Sequence, residues 1–312
     1  MADEWYEKVF ENKHDVVNEF IQRKEDMGRS PRTLNAYSRT LKKFFHEVFP
    51  DVAPDEVQVY HIEEYVSTLS QRDLSQNTKR RYLESLSSFY DWAMKRPRFD
   101  TINGNPAAVV LEEIPKVTHD RPDCATWENG KEIVHNIANP RDKAVAAVLA
   151  KTGCRVKEAT RLELDDVMLE DQIIRFRNRK NGKDTRFPID DELCRVIQRY
   201  TFVRDPSKSD DLLFTSIRGG ELTRERIRWS VRRGAVEAGI MDEGEDRFHK
   251  KFTPHTYRTV FTNVMRDNGM DDHITRYLRG DAKVQEAMDI YTNVNAEKAR
   301  KQYLECIKPL EL

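Results

Sequence analysis

The stretch TGCRVKEATRLELDDV, residues 152–167, decides how the rest of the chain reads. Upstream, RDKAVAAVLAKTG at 141–153 carries apolar residues at helical spacing. Gly153 interrupts that pattern, and Arg155 then falls in the first turn of a second helical pattern. Downstream, IIRFRN and TRFPI alternate apolar and polar residues around Lys180-Asn181-Gly182-Lys183, which predicts a β-hairpin. Helices return from about Asp190. The second part of the chain is therefore mixed α+β, with one small antiparallel hairpin or sheet in a helical surround.

The first part, residues 1–110, reads as four helices. Helical spacing recurs in VVNEFIQRKEDM, TLNAYSRTLKKFFHEVF and TKRRYLESLSSFYDWAMK. Ser30-Pro31 opens the second of these with a cap and a first-turn proline, and Ser75 or Asn77 opens the last. Between them, Pro54-Asp55-Glu56 leads into a helix reaching about Ser70. Gly104 and Pro106 stop the pattern. Residues 111–122 read as a linker and 123–312 as the second domain. The chain shows no internal repeat at a fixed period. The fold class is mainly α.

With 312 residues, two domains are expected. The net charge of -1 gives no global sign of a nucleic-acid partner, but the charges are segregated. RFRNRKNGKDTR at 175–186 holds six basic residues against one acid, and RERIRWSVRR at 224–233 holds five against one. Such local patches, rather than net charge, make an electrostatic footprint on DNA. Cys124, Cys154, Cys194 and Cys306 show neither metal-ligand spacing nor a secreted disulfide framework. The start, MADEWYEKVFENKHD, has no signal-peptide core, and no apolar run approaches membrane-spanning length. A soluble, cytoplasmic protein is expected, with neither cofactor nor membrane partner.

Three stretches carry residues suited to phosphate chemistry. Arg155 near a helix start, with Glu158 three residues on, offers a braced guanidinium beside backbone N–H groups. In TPHTYRTVFTNVMRDNG at 253–269, His255 and Arg258 are three apart and project from one face near a helix N-terminus. In AMDIYTNV at 287–294, Tyr291 is a nucleophile only if neighbouring cations help it lose its proton. Taken singly, each also suits an ordinary surface pair, a capping histidine or a packed ring.

Together these residues resemble the tyrosine recombinase (phage integrase) family. The matches are Thr152-Gly153-Cys154-Arg155-Val156-Lys157-Glu158, then Lys180, then His255-Thr256-Tyr257-Arg258, then Tyr291. SPRTLNAYSRTLKKFF at 30–45 and residues 74–107 are similar to the family's four-helix, SAM-like core-binding domain, so the resemblance covers nearly the whole chain. It implies that Arg155 and Arg258 clamp the scissile phosphate, His255 bonds a non-bridging oxygen, Lys180 protonates the leaving 5′ oxygen, and Tyr291 attacks phosphorus. It implies double-stranded DNA as partner, two lobes clamping it, a tetramer on DNA, and no need for ATP or metal. It also implies a nucleoid-associated location.

Two departures are visible. Where the family has Leu-Gly-His, this chain has Leu278-Arg279-Gly280-Asp281. Asp281 would repel a phosphate, orient an arginine or accept the Tyr291 proton, and Arg279 offers charge beside it. Lys183 is close enough to substitute for Lys180. Expected DNA contacts are Lys79, Arg80, Arg81, Lys183, Arg226, Arg228, Lys250, Lys251 and Arg279, with His249 beside them. The tail AEKARKQYLECIKPLEL at 296–312 puts Ala299, Tyr303, Leu304 and Ile307 on one stripe, which docks either on a neighbouring subunit or on its own domain. A type IB topoisomerase and a catalytically reduced DNA-binding protein are the alternative readings.

Overall fold

Ser30 and Ser75 each start a helix in the same way. In a computed structural model, their hydroxyl oxygens accept from Thr33 N and Thr78 N at 3.3 Å, closing the first turn. The structure describes residues 12–72, 74–117, 122–177, 184–209, 211–245, 247, 250–281 and 296–312. These form two compact units, residues 1–119 and 120–312.

The first unit runs α1 (Asp15–Asp26), α2 (Pro31–Lys42), α3 (Val59–Ser70), α4 (Gln76–Ala93) and α5 (Pro106–Glu113). A π-helical segment, Lys43–Val48, continues α2. α2 packs on α4, and their sequences correspond: Ser30 with Ser75, Thr33 with Thr78, Tyr37 with Tyr82, Leu41 with Leu86, Phe44 with Phe89. A search for fixed-period repeats misses this, because the pattern occurs only twice and far apart. Leu41, Leu86, Phe44 and Phe89 are all buried. Edge-to-face ring contacts fill the centre, among them Phe20–Phe89 at 5.6 Å and Phe44–Tyr65 at 5.1 Å.

The fifth helix corrects the sequence reading, which ends the pattern at Pro106. Proline at the first helical position costs no hydrogen bond, and Asn105 caps Ala108 N at 3.0 Å. Ala107, Val110 and Ile114 are buried in this unit's core.

In the second unit α6 (Trp127–Asn136) and α7 (Pro140–Thr152) are followed by a short α8 (Val156–Thr160). Strands β1 (Val167–Met168), β2 (Ile173–Phe176) and β3 (Thr185–Pro188) form one antiparallel sheet in that order. Then come α9 (Asp191–Val203), α10 (Arg224–Glu237), α11 (Pro254–Asp267), α12 (Asp272–Leu278) and α13 (Ala296–Cys306). α7 is the central element: every residue from Ala144 to Thr152 is buried, and α6, α9, α10 and α11 pack on it. In the hairpin Ile174 pairs with Phe187 and Phe176 with Thr185. All four are buried, so this face meets the core while Arg186 faces solvent. β1, two residues long, is too short to show alternation in the sequence.

The tail packs on its own domain. α13 buries Ala299, Tyr303 and Cys306, while Leu304 is exposed, contrary to the stripe expected for it. Beyond α13, Trp127 Nε1 donates to Pro309 O at 3.1 Å, and Glu192 accepts from Leu310 N at 2.7 Å and Leu312 N at 2.9 Å. Among the described residues no helix is long and apolar enough to cross a membrane.

Candidate active site

The site is built around one buried cation. Arg258 lies on α11, whose start is fixed by Pro254 in its first turn and by Thr253 N donating to Thr256 Oγ1 at 2.9 Å. Arg258 is 4% exposed, so its charge must be matched inside the protein. Nη1 donates to Gly153 O at 2.6 Å, and Nη2 donates to Arg279 O at 3.0 Å. Nη2 also meets Asp281 Oδ2 at 2.5 Å.

Both carbonyls come from helix ends shaped by glycine. Gly153 ends α7 at φ 58°, and a Cβ there would lie 2.6 Å from the Phe261 ring. At the end of α12, Gly280 takes φ 69°, Gly280 N donates to Tyr277 O, and Asp281 N donates to Arg276 O, both at 2.9 Å. That reciprocal pair is a Schellman motif, and it fixes Asp281 directly after the turn. The cation of Arg258 thus sits at the negative ends of two helices.

Arg155 is the N-cap of α8, one position earlier than the first-turn place expected from the sequence. The Glu158 carboxylate accepts from Arg155 N at 2.8 Å and from Arg155 Nη1 at 3.0 Å, so the expected brace is doubled. Arg155 Nη2 reaches Asp281 Oδ1 at 2.8 Å. Arg279 Nη2 reaches Asp281 Oδ2 at 2.8 Å. Three guanidinium groups therefore converge on one carboxylate, and solvent reaches it: the side chains of Arg155 and Asp281 are 32% and 29% exposed.

These charges set the proton affinities. Burial works to raise Asp281, but Arg258, Arg279 and Arg155 together hold its carboxyl below the usual range. His255 reaches the surface at the mouth of the cluster. Its pKa is lowered by the crowding that partly strips its water and then by Arg258, Arg155 and Arg279, with Asp281 opposing them. Tyr257, between His255 and Arg258 in sequence, is fully buried; its hydroxyl donates to Gly130 O at 3.1 Å and burial raises its pKa. It is a core residue. The arrangement as a whole has cations in excess, a charge balance suited to an anion.

Lys180, Lys183, His249 and Tyr291 lie outside the described residues. The remaining expected DNA contacts divide. Arg81, Arg228 and Lys250 are exposed, and Lys251 is half-buried. Lys79 Nζ donates to Ser70 Oγ at 2.9 Å. Arg80 donates to Leu111 O and Ile114 O, capping the end of α5. Arg226 pairs with the buried Asp142 at 2.8 Å and stacks its guanidinium 4.6 Å from the Trp229 ring. Sequence reasoning missed Asp142 and the tail-receiving group Trp127, Lys151 and Glu192. The visible signal for the latter was a lysine closing the otherwise apolar run AVAAVLAK. Among the described residues, no group of three or more His, Cys, Asp or Glu side chains could hold a metal ion.

Comparison with known proteins agrees with this architecture. Residues 126–298 match the phage integrase family, and residues 16–98 match the phage integrase N-terminal SAM-like domain. Tyrosine recombinase XerD of Bifidobacterium longum is 28% identical over 298 residues, covering 89% of this chain and 92% of that protein. Tyrosine recombinase XerA of Pyrococcus horikoshii is 26% identical over 289 residues, covering 92% and 91%. Among solved structures, the Tn1549 transposon integrase in complex with transposon right end DNA superposes with a TM-score of 0.68 at 17% identity, covering 92% of this chain and 98% of that one. A lambda integrase dimer bound to a COC′ core site gives 0.68 at 15% identity, covering 88% and 96%. These two likenesses concern the fold. The chain belongs to the phage integrase family of tyrosine recombinases.

Proposed function

We propose that the protein is a site-specific DNA recombinase that cleaves and rejoins double-stranded DNA through a 3′-phosphotyrosyl intermediate. The observation that carries this reading is the convergence of Arg155 and Arg258 on one solvent-reached carboxylate, with His255 in the same electrostatic field, in a chain of this family. The Tyr291 oxygen attacks phosphorus, the bond to the 5′ oxygen breaks, and Lys180, or Lys183 in its place, supplies that oxygen's proton. Arg155 and Arg258 stabilise the charge that develops on the non-bridging oxygens, with a hydrogen bond from His255. Attack by a 5′ hydroxyl from another strand reverses the step. The bond energy is kept, so the chemistry asks for neither ATP nor a metal ion.

In this reading residues 1–110 grip DNA and residues 123–312 carry the chemistry. Exposed Arg81, Arg228 and Lys250 contact phosphates, and affinity falls as salt rises. Exchange between two duplexes needs four cleavages, hence four copies of the chain on DNA.

The test is Tyr291→Phe on nicked suicide substrates made from the DNA that flanks the protein's own gene. The unaltered protein is expected to form a covalent protein–DNA adduct, in EDTA as well. The variant is expected to form none while binding DNA nearly as well. An adduct with the phenylalanine variant removes Tyr291 as nucleophile, and a magnesium requirement removes the mechanism.

A further inference from the structure

We infer that Asp281 is the internal ligand of the arginine cluster: a positioning residue that holds Arg155 and Arg258 where phosphate oxygens bind, and that a phosphate displaces from both. The inference rests on reading this cluster as the phosphate site.

The geometry is that of a stand-in anion. The two carboxylate oxygens are divided between the two arginines, Oδ1 to Arg155 Nη2 at 2.8 Å and Oδ2 to Arg258 Nη2 at 2.5 Å. Two non-bridging phosphate oxygens would be shared between the same nitrogens. The donor inventory makes the two anions exclusive at one nitrogen. Arg258 Nη2 has two hydrogens, one given to Arg279 O and one to Asp281. A phosphate oxygen can reach that nitrogen only by displacing the carboxylate. Coulomb repulsion acts in the same direction, since two anions cannot share the clamp without cost.

Displacement leaves Asp281 with a partner. Arg279 Nη2 holds Oδ2 at 2.8 Å from the same helix end, and the Schellman turn at Gly280 keeps the two residues together. The third arginine therefore receives the carboxylate once Arg155 and Arg258 have turned to the phosphate. The same contacts argue against Asp281 as the base for Tyr291. A carboxylate engaged by three guanidinium groups is a poor acceptor for a phenolic proton of pKa about 10.

The experiment uses the full-length protein and inorganic sulfate as the probe, so it needs neither DNA nor cleavage. Asp281→Asn keeps the shape and removes the charge. It is expected to bind sulfate about tenfold more tightly by calorimetry, as removal of one charge at contact distance predicts. Adding Arg155→Ala to that variant is expected to abolish the gain. In the unaltered chain, saturating sulfate is expected to shift the Asp281 carboxyl carbon resonance. This second measurement stands even where the asparagine variant folds poorly. Unchanged or weaker sulfate binding by Asp281→Asn, or an Asp281 resonance that sulfate does not move, overturns the inference. Failure of the recombinase reading would show instead in the Tyr291 adduct assay, with sulfate binding unaffected.

Discussion

The second unit holds two clusters of charge near one end of α7, and they are built to opposite ends. In the first, Lys151 is fully buried and its Nζ lies 2.6 Å from both Asp190 and Glu192. The tail seals it: Lys308 O accepts from Lys151 at 2.9 Å, and two further tail N–H groups bond Glu192. In the second, three arginines share Asp281 within reach of solvent. The local logic is the same. Burial pushes Glu192 and Asp281 up, and neighbouring cations and donors hold both below the ordinary carboxylate range. The difference is one of balance and access. The Lys151 cluster is acid-rich and closed, so it holds the tail. The arginine cluster is cation-rich and open, so it can take an anion. A buried charge is not by itself the mark of a functional site, since structural ion-pair networks also perturb proton affinities.

Single substitutions should separate the two clusters. Lys151→Met leaves Asp190 and Glu192 without their cation and is expected to cost about 3–5 kcal/mol in denaturant unfolding. Arg155→Ala removes a half-exposed guanidinium and is expected to cost about 1 kcal/mol or less, while slowing DNA cleavage on the order of 100-fold or more. Equal losses of stability in the two variants would break the distinction between a sealed cluster and an open one.

Much of this was legible in the sequence, for reasons that differ by element. Ser30, Ser75 and Asp190 announce helix starts through their own side-chain oxygens, which is local chemistry. The hairpin is legible because Ile174, Phe176 and Phe187 alternate with polar residues. Pro106 misleads because proline both ends helices and begins them, and the Asn105 cap with the burial of Ala107 and Val110 decides which. In the site, Arg155 and Arg258 stand out by motif, but their meeting through Asp281 spans 126 residues of chain and leaves no local signal. Arg226 shows the converse. Its basic run suggests DNA, and its guanidinium also pairs with the buried Asp142, a partner 84 residues away.

Gly153 tests how finely the open cluster depends on its frame. Gly153→Ala must hold φ near 58° and push aside the Phe261 ring, for an expected loss of about 2 kcal/mol. Its carbonyl is the partner of Arg258 Nη1, so cleavage should fall further than DNA binding does. Gly239→Ala is the control. It has the same kind of backbone, φ 69°, with nothing within 4 Å, and should lose about 1 kcal/mol with cleavage intact. Equal loss of cleavage in both would mean that backbone strain, not the Arg258 contact, is being read.

The smallest effect is the most direct reading of the open cluster's field. The neutral form of His255 is favoured in the folded protein by partial desolvation first and by Arg258, Arg155 and Arg279 after it, against the opposing pull of Asp281. Its ring should therefore titrate below the ordinary 6.5, as followed by its NMR resonances. A depressed histidine pKa stabilises the fold fully above pH 6.5. That contribution is lost as pH falls from 6.5 through the folded-state value, because the unfolded chain then binds the proton more readily. Asp281→Asn should lower the His255 pKa further by removing an anion that opposes the arginines, whereas sulfate in the cluster should raise it. A His255 pKa that ignores both changes would mean that the carboxylate and the ring do not share a field. A neutral imidazole carries a single N–H, so its hydrogen bond to a phosphate oxygen depends on which ring nitrogen holds that hydrogen. Burial first and the arginines second thus favour the neutral ring while the cluster is empty of other anions.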